Sequence, residues 1–87
     1  MATIKATLAL GAIAGICCDE LRVVYKTRAR PIERLGVFGI YAESYTELVS
    51  VTLDGPILDE DGKPVTITDE QRIAILAAAE RKIEEWI

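Results

Sequence analysis

Alternation of apolar and polar positions opens the chain. Ile4, Ala6, Leu8 and Leu10 share one side, and Thr3, Lys5 and Thr7 share the other. That period of two predicts a strand with one buried face. Gly11 and Gly15 then punctuate Ala12 to Cys18, an apolar stretch with no clean period. It reads either as an extension of the strand past a bulge or as a packed loop. A second alternation follows, with Leu21, Val23, Tyr25 and Thr27 on one side and Arg22, Val24, Lys26 and Arg28 on the other. It predicts a strand antiparallel to the first, ended by Pro31, because proline cannot continue a central ladder.

Residues 31–45 are the least regular part. Gly36 and Gly39 bracket Val37 and Phe38, and Tyr41 and Tyr45 follow. The pattern predicts a long loop containing a short strand. Loops of that length in small domains often carry function, which singles out Arg34, Phe38 and Tyr41. A third strand is predicted from Thr46 to Leu53, with Val49, Val51 and Leu53 facing in and Ser50 and Thr52 facing out. Asp54-Gly55 and Asp61-Gly62 are turn dipeptides, and Val65 and Ile67 lead to the last element.

That last element is an amphipathic helix from Asp69 to Ile87, capped at Thr68. Thr68 and Gln71 have the spacing of a capping box. Asp69 and Glu70 place negative charge at the positive end of the helix dipole. Ile75, Leu76, Ala79, Ile83 and Trp86 form one stripe; Ala74, Ala78, Arg81 and Glu85 lie opposite. A helix of about 28 Å is long enough to cross a small sheet. Such a stripe serves partner helices in some proteins; here it reads first as a core face, with Leu76 and Ile83 in the core and Trp86 partly covered. The order of elements predicts one α+β domain over residues 1–87. Its three- to four-stranded antiparallel sheet carries the C-terminal amphipathic helix packed on one face.

Composition refines this picture. The chain has 87 residues, of which 51% are hydrophobic. A domain this small has a thin core, so part of its apolar surface is expected to meet a second copy. The candidate contact is Ile13 and Ile16, in the stretch that lacks polar alternation. Such an interface would make a symmetric dimer.

The net charge is −4, unevenly distributed. Residues 1–40 hold six Lys and Arg against three Asp and Glu; residues 41–87 hold four against eleven. Arg22, Lys26, Arg28 and Arg30, with Arg34 beyond, set cations along one strand face. They are candidate partner-binding residues, for an acidic protein surface or for phosphates. They read first, however, as a solvated face that guards a strand edge, because the acidic balance of the chain opposes general nucleic-acid binding. Tyr25 lies on the other face, so no aromatic is expected among them for base stacking.

Candidate chemistry is sparse. The chain has no His, which removes the commonest general base and neutral metal ligand. Cys17 and Cys18 are neighbours, a geometry that suits neither a disulfide nor a zinc site, and two free thiols point to a reducing setting. Leu8 to Cys18 faintly resembles the apolar part of a signal peptide. It is too short to span a bilayer, and Ile16 before Cys17 breaks the small-residue cleavage pattern. Asp59, Glu60 and Asp61 before Gly62 hint at calcium. Ile57 and Thr68 stand where an EF-hand loop needs its first and last ligands, so a turn explains them. Glu80, Glu84 and Glu85 with Arg81 and Lys82 read as a solvated helix face. No nucleophile, base or phosphate loop is assembled, so a non-enzyme without cofactors or metal is expected.

The segments ELRVVYKTRARP and TELVSVTLDGP and the helix opening TDEQ together resemble small bacteriophage and prophage proteins. That likeness covers about three quarters of the chain and departs from it before Glu20. It implies a cytoplasmic accessory protein and supplies no site residues. The leading expectation is therefore a non-catalytic accessory protein that binds a host or phage protein, with homodimerisation as a further feature and no membrane partner. A nucleic-acid binder using residues 22–34 is the alternative.

Overall fold

The computed structural model describes all residues from Met1 to Ile87. Its main sheet has the order β1-β4-β5, with β1 at Ala2–Leu8, β4 at Leu21–Gly36 and β5 at Gly39–Leu53. β1 pairs antiparallel with β4, from Ala2 opposite Thr27 to Leu8 opposite Leu21. A second, two-stranded sheet joins β2 at Ala12–Ile13 to β3 at Ile16–Cys17. The helix α1 spans Asp69–Glu84. The fold is α+β and antiparallel, as the alternation predicts.

The connection between β1 and β4 does not extend the strand past a bulge, and it packs against the core through Ile13 and Ile16. It is a tight hairpin turned by Ala14 and Gly15, both with positive φ, at 50° and 80°. Such paired left-handed residues match the twist of a two-residue hairpin turn, and glycine makes the second one inexpensive. The backbone bonds Cys18 N to Gly11 O and Leu10 N to Cys18 O close its base, at 2.8 and 2.9 Å.

The helix is capped as the sequence predicts. Thr68 Oγ1 accepts from Gln71 N at 3.1 Å, and Gln71 Oε1 accepts from Thr68 N at 2.9 Å. Gln71 Nε2 also donates to Ala14 O at 3.2 Å, which ties the start of α1 to the small hairpin. The helix ends at Glu84 rather than Ile87. The last residues tighten into a turn, with Trp86 N donating to Ile83 O at 2.9 Å.

The core lies where α1 crosses the sheet near the ends of β1 and β4. Leu8, Cys18, Leu21, Val23, Ile57, Ile75, Ala79 and Ile83 are buried together. A fully buried Ile or Leu side chain contributes about 1.5–3 kcal/mol. Leu76 is only partly buried, because Ile75, Ala79 and Ile83 take the centre of the helix face. Trp86 remains about half exposed, its ring tilted 6.5 Å from that of Tyr25.

The largest departure from the sequence pattern is Pro31, which does not end its strand. β4 continues to Gly36, and residues 31–45 are paired strand except for the turn at Val37 and Phe38. Asp54 N donates to Arg22 O, so even-numbered residues of β4 turn their backbone groups toward β5. Odd-numbered residues turn theirs toward β1, which stops opposite Thr27. The N–H that Pro31 lacks therefore falls on an edge with no partner strand, where proline is tolerated.

Residues 28–47 thus form a hairpin arm projecting past the core. The protein measures 60 × 20 × 20 Å with a radius of gyration of 17.1 Å. A compact chain of this length would have a radius of about 12 Å.

A candidate protein-docking arm

The arm is built on a register shift. Lys26 pairs with Ser50 and Thr27 with Leu48, leaving Val49 as the extra residue of a β-bulge. Below the bulge, Val51 and Leu53 face the core as the alternation predicts; above it the faces of β5 exchange. Leu48, not Val49, packs against the core, and Val49 is exposed. Toward the tip, Arg28 therefore stands opposite Glu47, Arg30 opposite Tyr45, and Arg34 opposite Tyr41.

This exchange places the candidate cations in unexpected company. Arg28 Nε lies 2.7 Å from Glu47 Oε2, Arg30 Nη1 lies 3.4 Å from the same oxygen, and Arg34 Nε lies 2.8 Å from Glu43 Oε2. The Arg28 hydrogen bond holds the Glu47 carboxyl below its ordinary pKa, helped by the charges of Arg28 and Arg30. Arg22 and Lys26 share the same sheet face nearer the body and make no ion pair. The five cations do lie on one face. Tyr41 and Tyr45 lie there too, brought in from β5, which reading β4 by itself could not reveal. Across residues 28–47 three Arg meet three Glu, so the arm carries no net charge.

The tip is apolar and uncovered. Gly36 pairs with Gly39 to close a two-residue turn at Val37 and Phe38, and Gly39 has φ of 118°. Val37 and Phe38 are fully exposed, and Leu35 and Ile40 are 84% and 72% exposed. The Tyr41 ring lies over Gly36, where a methyl group would come within 2.9 Å of its Cδ1 and Cε1. Single exposed apolar side chains are ordinary on protein surfaces. Four adjacent ones at the end of a projecting hairpin form a patch of the kind that marks an interaction site. The signal for it in the sequence is Leu35-Gly36-Val37-Phe38-Gly39-Ile40. Gly-flanked apolar residues there make a turn, and no polar residue separates them.

Other candidates fall elsewhere. Ile13 and Ile16 sit opposite each other in the small hairpin, half-buried against the chain's own core. Much of their apolar surface is already used within one molecule. Asp59 Oδ1 accepts from the backbone N–H groups of Asp61 and Lys63, both at 2.9 Å, so this carboxylate shapes its turn. Cys18 is buried, and burial raises its thiol pKa, with the neighbouring Cys17 and Asp19 charges adding to the effect. Cys17 is exposed, and its Sγ donates to Asp19 Oδ2 at 3.4 Å. No helix is long and apolar enough to cross a membrane.

Comparison with known proteins gave no match to a family model, a curated protein or a solved structure.

Proposed function

We propose that this chain is a non-catalytic accessory protein, of the kind phages encode, that binds another protein through the tip of its β4–β5 arm. The observation that carries this reading is the contiguous apolar tip formed by Leu35, Val37, Phe38 and Ile40. A paired hairpin presents those side chains in fixed geometry, so less conformational entropy is lost on docking than for a loose loop. The body supports the arm through the Thr27–Leu48 end of the sheet and takes no part in chemistry.

A second reading, nucleic-acid binding, has one observation in its favour. Arg30, Arg34, Tyr41 and Tyr45 share one face of the arm, a mixture suited to phosphates and bases. Against it, Glu43 and Glu47 hold Arg28, Arg30 and Arg34 in ion pairs, and the arm is neutral overall. Protein binding therefore leads.

Two variants separate the readings. Val37→Ser with Phe38→Ser removes the apolar tip; Arg22→Ala, Lys26→Ala and Arg28→Ala remove cations. On the protein-binding reading, partner capture is lost with the tip variant and kept with the cation variant. The opposite outcome, with binding to single-stranded DNA whose salt dependence weakens with each lost phosphate contact, would favour nucleic acid.

A further inference from the structure

We infer that the protein to which the arm docks is a second copy of this chain, joined head to tail. This deepens the proposed arm function and rests on it. The receiving site is an apolar cleft of about 590 Å³ between the end of β5, the following loop and α1. Leu53, Ile57, Val65, Ile67 and Leu76 line it, and Arg72 is the sole charged residue in its wall.

The arm cannot fill its own cleft. Leu53 stands at one end of β5 and Gly39 at the other, so the tip is held about 45 Å away by the length of the strand. Another molecule must supply the occupant, and the tip of a neighbouring copy has the matching chemistry. Leu35 and Ile40 pair across the arm, and Ala42 with Glu33 is two residues further down on the same face. Glu33 has no ion-pair partner, and neither does Arg72. Seating Leu35, Phe38 and Ile40 among the cleft side chains would bring an unpaired carboxylate to an unpaired guanidinium. A guanidinium and a carboxylate meeting at the rim of an apolar contact fix its register.

Because tip and cleft are different surfaces, the contact is heterologous. Repeated, it makes a ring if the rotation closes and an open chain if it does not.

Sedimentation of full-length variants, alone and mixed, tests this. Phe38→Ser lies on an exposed turn and Arg72→Glu on the exposed face of α1, so both leave the core untouched. The wild type is expected to assemble beyond a monomer in the micromolar range, and each variant alone to stay monomeric. Mixed in equal amounts, the two variants should form one heterodimer and nothing larger. The intact tip of Arg72→Glu fits the intact cleft of Phe38→Ser, while the other junction is broken. Glu33→Arg combined with Arg72→Glu should recover assembly. A wild type that stays monomeric at high micromolar concentration, or a mixture that does not associate, overturns the inference. A monomeric wild type that still captures a different protein through Phe38 would leave the arm's docking role standing and remove the second copy as its partner.

Discussion

Arg28 and Glu47 face each other across the first rung of the arm because Val49 is one residue too many in β5. Without that bulge Arg28 would stand opposite Leu48, and Glu43 opposite Glu33. The bulge therefore creates the Arg–Glu pairs, and it also carries Tyr41 and Tyr45 to the arginine face. Glu47 titrates below its ordinary value in the fold. Its contribution to arm pairing is thus complete above the ordinary carboxylate range and disappears as pH falls through the lowered value. Hydrogen exchange should show faster opening of arm amides in acid, and Glu47→Gln should show the same opening at neutral pH. The pair is solvent-exposed, so global melting should hardly change.

Leu48 and Val49 give a direct test of the bulge. Leu48 packs on the core, whereas Val49 is exposed. Leu48→Ala should cost about 1–3 kcal/mol, below the full range for a buried Leu because the side chain is only partly covered. Val49→Ala should stay within about 0.5 kcal/mol, as for a surface position. Urea titration of both variants checks the order, and the reverse order would mean that β5 pairs without the bulge.

Much of the body was legible in the sequence. Strong period-two runs fixed β1, the first half of β4 and the last residues of β5, and the Thr68–Gln71 spacing fixed the start of α1. The arm was not legible because its evidence lies in pairing rather than in pattern. Pro31 reads as a stop only while the strand beside it is unknown; where β1 has ended, its missing N–H costs no ladder bond. A one-residue bulge is likewise invisible to alternation, since Val49 is as apolar as Leu48. The cation face could be read from β4 by itself. The aromatic and acidic residues between those cations belong to β5 and needed the register.

Gln71 joins two parts of the fold through one amide. Its oxygen completes the helix cap and its nitrogen donates to Ala14 O. Gln71→Glu should keep the cap and lose the donor, placing a carboxylate against a carbonyl. The expected loss is about 1 kcal/mol, similar to that of Thr68→Ala, which removes the cap itself. Thermal unfolding of the two variants measures both. A Gln71→Glu variant more stable than wild type would show that the link to Ala14 carries no weight.

The two cysteines should separate in reactivity. Cys17 is exposed and Cys18 is buried with a raised pKa. Iodoacetamide should modify Cys17 in the native protein and reach Cys18 only after unfolding. The neutral Cys18 thiol suits the fold up to its ordinary pKa. As pH rises beyond that, the unfolded chain loses this proton first and stability should decline. Mass spectrometry of labelled peptides reads the difference, and equal labelling of the two thiols would contradict the burial of Cys18.

The central claim is that the end of the arm is a protein-docking surface. It is tested most directly by placing a photo-crosslinking phenylalanine derivative at Phe38 and irradiating the protein in its native cells. The account predicts a discrete protein adduct linked through position 38, absent when the probe stands at exposed Lys5 on β1, away from both arm tip and cleft. Adducts confined to lipid or nucleic acid, or no adduct through position 38 at all, would contradict it.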